Sequence, residues 1–357
     1  EPDSFYKDVC KEVNEYLKLN KLHKYGNTSL VIKYLILKTI FITTYVFIYY
    51  FQNSFLLYVA FIFLGPLCII LAINISHDAI HEIAHSNKWI NTYFAIQMDL
   101  IGANSYVWKK RHQIGHHVFP NTLEKDPDLT QSVIVKILPN SIHKSYHKYQ
   151  HIYVPFLYSI YTINWIYIRD FKDFFSKKSF LKKIPTTEYM KFIMFKTFYI
   201  SLFILTPIYY TSLSIFQVFI GNILLHVTAS YFLTLALVPS HVSENSVFVK
   251  PAVNGKMPYS WSHHQIMTTT DFATNSTLTT WLLGGFNHHV THHLFPNISH
   301  VHYPKLTPII KRLAINYGLK YNHESSLFEA YKSHYNLLKN NGNNNLQLPK
   351  NIQLYYK

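Results

Sequence analysis

Two long stretches of the chain, Thr39–Asn87 and Thr197–Val249, contain no Lys or Arg. At the chain's average frequency, the two together would hold about nine such residues. Each stretch is long enough to cross a bilayer twice, at about 20 residues per crossing. Gln52-Asn53-Ser54 breaks the first into spans near 31–51 and 55–74. Pro207–Ser212 breaks the second into spans near 192–210 and 214–238. Lys33, Lys38, Lys191 and Lys196 stand at span entrances, where a long side chain can carry its ammonium outward. The pattern predicts an all-α integral-membrane fold with four transmembrane helices in two hairpins. A second apolar pattern, Tyr153–Tyr167, is short and interrupted by Asn164, and predicts a segment lying along the interface.

Charge placement orients this scheme. The two hairpins put the N-terminus, residues 75–190 and everything after 239 on one side. All 33 basic residues lie there or at its boundary. By the positive-inside rule that side is cytoplasmic, in an endoplasmic reticulum or bacterial inner membrane. The expected organisation is a cytoplasmic N-terminal segment 1–30, a catalytic domain 31–325 and a C-terminal tail 326–357. The run Lys339–Lys350, rich in Asn, is expected to be loosely packed.

Composition agrees with a membrane. Charged residues make up 14% of the chain and aromatics 17%, with 29 Tyr and 26 Phe. The net charge of +15 therefore sits on few groups and favours an anionic partner, whether a phospholipid surface, a nucleotide-bearing substrate or an acidic redox protein. Nothing points to nucleic acid. Two cysteines, Cys10 and Cys68, exclude a disulfide framework and a four-Cys iron–sulfur cluster.

Histidine is the outlier, with 22 copies. His77 and His81 stand in His-Asp-Ala-Ile-His at the exit of the second span. His112, His116 and His117 stand in His-Gln-Ile-Gly-His-His, and His289, His292 and His293 in His-Val-Thr-His-His. Helical spacings of three and four put each group on one face. Eight imidazoles exceed the four ligands of a single zinc and suit two metals sharing one site. Two redox-active irons could reduce dioxygen and take hydrogen from an unactivated carbon, which no side chain can do. His263-His264, His143, His147 and His151 are taken as surface histidines. A rival motif overlaps the first group: His81-Glu82-Ile83-Ala84-His85 matches the H-E-x-x-H signature of zinc metalloproteases, which leaves the other two groups idle. A metal carrier would instead need its ligands within the spans.

At these residues the chain resembles the membrane fatty acid desaturases, above all the acyl-CoA and acyl-lipid branch that includes linoleoyl-CoA and front-end desaturases. Gly102–Asn121 followed by Asp126-Pro-Asp128 is similar to the family's second box. Gly284–Tyr303 is similar to its third, and Gln265–Phe272 also resembles the family. The similarity runs from about residue 5 to 325. It implies four spans, a cytoplasmic helical cap with a di-iron site, and an acyl chain held in a closed tunnel. The implied ligands are His77, His81, His112, His116, His117, His289, His292 and His293, with His241 as the ninth. His226 is its rival, but it lies about 22 Å deeper along the fourth span. The chain departs from front-end members in having His289 where Gln is usual and three residues, not two, between His112 and the doublet. Leu237 stands where a polar group could have held water, and no His-Pro-Gly-Gly motif indicates a fused cytochrome b5 domain.

The resemblance implies an oxygen-dependent desaturase acting on a fatty acyl-CoA or acyl-lipid. It would use two iron ions, dioxygen and electrons from a separate cytochrome b5 or ferredoxin. A lipid hydroxylase would use the same centre. Asp78, Asp126, Asp128, Asp271 and Asn287 are candidates to receive the outer N–H of a ligating imidazole. Lys109, Lys110 and Arg111 are candidates to meet the electron donor, substrate phosphates or lipid headgroups.

Overall fold

The computed structural model describes residues 3–50, 54–129, 133–138, 141–176, 181, 183–252 and 254–343. It is mostly helical, with almost no strand. Its one sheet among the described residues pairs Asp271–Phe272 in parallel with His323–Glu324. Among the described residues, four helices are long and apolar enough to cross a membrane: Thr28–Tyr50, Phe55–Ile80, Thr186–Tyr210 and Ile215–His241. The chain forms two compact units. One comprises residues 25–110 and 156–235, the other 1–24, 111–155 and 236–357.

The first unit holds three spans and most of the fourth. The second and fourth spans cross closely because Gly65 has no side chain. A Cβ there would lie 2.3 Å from the carbonyl oxygen of Leu225, the close approach that small residues permit between membrane helices. Tyr45 of the first span ties the third, donating to the Leu202 carbonyl at 2.6 Å. Each span starts or ends several residues away from its predicted bound. The second continues to Ile80 because its polar last turns are satisfied inside the protein. Ser76 Oγ donates to the Phe94 carbonyl at 3.0 Å, and Asn74 Nδ2 to the Ile70 carbonyl at 2.8 Å. The first hairpin tip, at residues 52 and 53, lies outside the described residues. Within the Tyr153–Tyr167 region, helix Gln150–Tyr158 ends before Tyr161–Asn164 begins, so no single helix there is long enough to span.

The second unit is built on amphipathic helices. Phe5, Val9, Val13 and Leu17 recur every four residues along helix Ser4–Leu19 and are buried. They join Leu306, Ile310 and Leu313 of helix Tyr303–Asn316 in one core, together with Val290 and Leu294. Asp3 caps the N-terminal helix by accepting from the Tyr6 N–H at 3.0 Å. The expectation of a tail from residue 326 meets a helix instead. Leu327–Gly342 is capped by Ser326 and anchored by buried Ala330, Leu337 and Leu338. The Asn-rich remainder, 344–350, lies outside the described residues.

Candidate metal centre

The histidine groups are set by unusual local geometry. Residues Arg111–His116 form a π-helical turn, with the His117 N–H bonded to the His112 carbonyl at 2.9 Å. In an α-helix His117 would point about 140° away from His112. Widening the turn to an i→i+5 pattern brings His117 round beside it, and the two Nε2 atoms lie 3.0 Å apart. The third group rides on helix His289–Leu294. The chain reaches it through Gly284 and Gly285, both at positive φ (58° and 74°). A Cβ on Gly285 would also meet His300 Cβ at 2.9 Å. Asp271 then accepts the Val290 N–H at 2.8 Å and fixes the helix start.

Within this unit, ligand atoms of His116, His241, His289 and His293 all lie within 4.8 Å of one another. His241 Nε2 stands 3.0 Å from His116 Nε2 and 2.7 Å from His289 Nε2. The opposite nitrogens explain the arrangement. His116 Nδ1 faces the Asp126 carboxylate at 3.1 Å, His241 Nδ1 the Thr268 carbonyl at 3.3 Å, and His289 Nδ1 the Phe286 carbonyl at 3.2 Å. Each of those oxygens can only accept, so each Nδ1 carries the hydrogen and each Nε2 is a bare lone pair. His293 Nδ1 faces Gln265 Oε1 at 2.8 Å, and its Nε2 is buried without a hydrogen-bond partner. Lone pairs converging at such distances repel unless a proton or cation sits among them. The donor set therefore fits a transition metal that accepts imidazole nitrogen.

His112, His117 and His292 gather beside this quartet. The His117 and His292 rings lie 4.6 Å apart, and His292 Nδ1 meets the Tyr303 hydroxyl at 3.1 Å. His77 and His81 belong to the other unit, with rings 4.8 Å apart. Burial and neighbouring His77 hold His81 well below the usual imidazole range, so it is neutral and able to ligate. His293 is likewise depressed, by burial and then by His117 and the other imidazoles around it. His116 is the exception: burial works against its charge, yet Asp126 and Asp128 raise its pKa.

The predicted partners of these imidazoles divide. Asp126 is buried and receives His116, and also accepts the N–H groups of Asn121 and Asp128. Asp128 binds Arg111 Nε at 2.7 Å and lies 3.9 Å from His116 Nδ1. Asp78 is 3.7 Å from His77 Nδ1, beyond a hydrogen bond. Asp271 holds a backbone N–H and the Tyr321 hydroxyl rather than an imidazole. Burial pushes its carboxyl up to about 7. Asn287 braces the turn by donating to Thr280 Oγ1 at 3.0 Å, again without touching an imidazole. Arg111 is not available to a partner: it is buried and bound to Asp128 and the Pro127 carbonyl. Lys109 pairs with Glu82 at 2.7 Å, and Lys110 stands 5.9 Å from the Tyr106 ring.

Three further expectations are corrected. His147 and His264 are buried, not on the surface. His147 Nε2 faces the Val133 carbonyl at 3.0 Å and His264 Nε2 the Pro120 carbonyl at 2.8 Å, so each sets one ring nitrogen against a backbone oxygen away from water. The H-E-x-x-H match fails geometrically. The helix ends at Ile80, Glu82 takes a left-handed φ of 63°, and His85 Nδ1 accepts the Asn87 N–H at 2.9 Å. His81 and His85 thus share no helical face. Gln265, Tyr303 and Asn121 were not among the expected site residues. Asn121 Nδ2 donates to the His241 carbonyl at 2.8 Å and to the Thr268 carbonyl at 3.2 Å, anchoring both.

Comparison with known proteins adds an independent line. Residues 53–325 match the family described as Fatty acid desaturase. The chain is 29% identical to the sn-1 linoleoyl-lipid 6-desaturase of Arthrospira platensis, covering 94% of this chain and 92% of that one. It is 30% identical to the enzyme of the same name from Synechocystis sp., covering 94% of each. It is also 30% identical to a probable Delta(5) fatty acid desaturase C of Dictyostelium discoideum, over 99% of this chain and 79% of the other.

Proposed function

Because the chain belongs to the fatty acid desaturase family, we propose that it introduces a double bond into a polyunsaturated acyl chain carried on a lipid, at a histidine-ligated centre of two iron ions. As a fatty acid desaturase it is an oxidoreductase and a membrane protein. The lipid-borne substrate and a new bond near position 5 or 6 rest on the names of its relatives. Acyl-CoA is the competing carrier.

The convergence of four Nε2 lone pairs supports the metal centre. The proposed ligands are His77, His81, His112, His116, His117, His241, His289, His292 and His293, with His77 and His81 assigned from the motif. Bound there, iron would supply the dioxygen reduction and hydrogen removal that no side chain offers. The chain's own contribution is positional. Asp126, the Thr268 and Phe286 carbonyls and Gln265 hold protons on Nδ1 atoms. Asp271 and Asn287 set the start of the third-box helix.

The reading extends to topology. Two helical hairpins place both termini and all histidine groups on the cytoplasmic side, as the basic residues favour. Residues 31–325 form the catalytic domain. Electrons come from a separate cytochrome b5 or ferredoxin, with Lys109 and Lys110 available to an acidic partner or lipid phosphates.

Expression in a host supplied with linoleate, followed by lipid mass spectrometry, tests the activity. The expected product is a new double bond near position 5 or 6, appearing first in intact lipids. A hydroxylated chain would move the reading to a hydroxylase, and first appearance in the acyl-CoA pool would overturn the lipid-borne substrate.

A further inference from the structure

We propose that Gln265 is a positioning residue that fixes the tautomer of His293, and through it the hold of the chain on metal. The proposal rests on the reading of this centre as a metal site. Gln265 lies on helix Trp261–Thr268 and is fully buried. Its amide is held at both ends. Nε2 donates to the His117 carbonyl at 3.2 Å, and Oε1 faces His293 Nδ1 at 2.8 Å.

A carbonyl oxygen only accepts, so the His117 carbonyl requires the amide nitrogen on its side. The flipped amide would set two oxygens face to face. Oε1 must therefore face His293, and because it too only accepts, Nδ1 of His293 must carry the hydrogen. That leaves His293 Nε2 as a lone pair, buried and without another partner. The tautomer of a third-box histidine is thus dictated by a peptide oxygen of the second box, relayed through one amide.

His293 differs in this from its three neighbours. His116, His241 and His289 are fixed directly by a carboxylate or a carbonyl, which cannot turn round. Only His293 depends on a side chain that could present either end. Groups holding the outer nitrogen of a ligating histidine change metal affinity by about 10–100-fold when removed.

The test uses the full chain purified in detergent, with iron per chain measured against a graded chelator and 57Fe Mössbauer spectra recorded on the same samples. Gln265→Leu removes the acceptor. It should lose iron at about 10–100-fold lower chelator than wild type. Gln265→Glu restores an acceptor facing His293. It should hold iron at least as well as wild type, with an altered quadrupole splitting. Both variants disturb the contact with the His117 carbonyl, so a purely structural role would weaken both alike. Iron retention by Gln265→Leu equal to wild type would overturn the proposal. So would loss of iron from Gln265→Glu at about 10–100-fold lower chelator than wild type, which decides the matter alone if Gln265→Leu does not fold. Wild-type protein that takes up no iron would overturn the metal site itself, and this inference with it.

Discussion

His226 in the first unit and the quartet in the second differ in how their nitrogens are used. His226, within the fourth span, spends both. Its Nδ1 meets Thr162 Oγ1 at 3.1 Å and its Nε2 meets the Tyr199 hydroxyl at 3.1 Å. The quartet of His116, His241, His289 and His293 spends only Nδ1 on oxygen and turns every Nε2 toward a common point. His226 is buried, and so are His116, His289 and His293 of the quartet. The difference is an unspent lone pair, and it separates a histidine that braces helices from one that could hold a metal.

The comparison breaks first at a ligand. His293→Ala should abolish desaturation in cells, a loss beyond the roughly 10–100-fold that follows removal of an outer partner. Lipid mass spectrometry of the expressing host reads it. Substantial product from the variant would remove His293 from the ligand set.

His226→Leu should have the smaller and different effect. It removes one hydrogen bond from each of the Thr162 and Tyr199 hydroxyls, worth about 0.5–1.5 kcal/mol apiece, while Thr162 Oγ1 keeps Ser230 Oγ and the backbone carbonyl of position 226. A lowered melting temperature in detergent with unchanged iron per chain is expected. Loss of iron at undiminished stability would place His226 in the centre and displace His241.

Much of this was legible in the sequence, for reasons that mark its limits. The spans showed because a bilayer excludes Lys and Arg over long runs, and Thr39–Asn87 and Thr197–Val249 have none. The ends did not show, since Asn74 and Ser76 are polar and yet satisfied inside the protein. The histidine groups were visible by spacing, but the π turn of Arg111–His116 was not. Its i→i+5 bond leaves no residue signature, and an α-helical reading would send His117 off the shared face. The H-E-x-x-H match misled because four letters carry no φ angle, and Glu82 breaks the helix there. Asp126 could be named from the motif because carboxylates beside histidines suggest themselves. Gln265, Tyr303 and Asn121 stand at the ends of the family-like stretches, but they act through neutral atoms, and only the fold reveals what each one holds.

The central claim is that converging, unprotonated Nε2 atoms hold metal and that His226 does not. Metal analysis of the purified wild-type chain tests it most directly. The account predicts close to two irons per chain, with the iron signal altered by His293→Ala and untouched by His226→Leu. A single tightly held zinc, or no bound transition metal after iron loading, would contradict it.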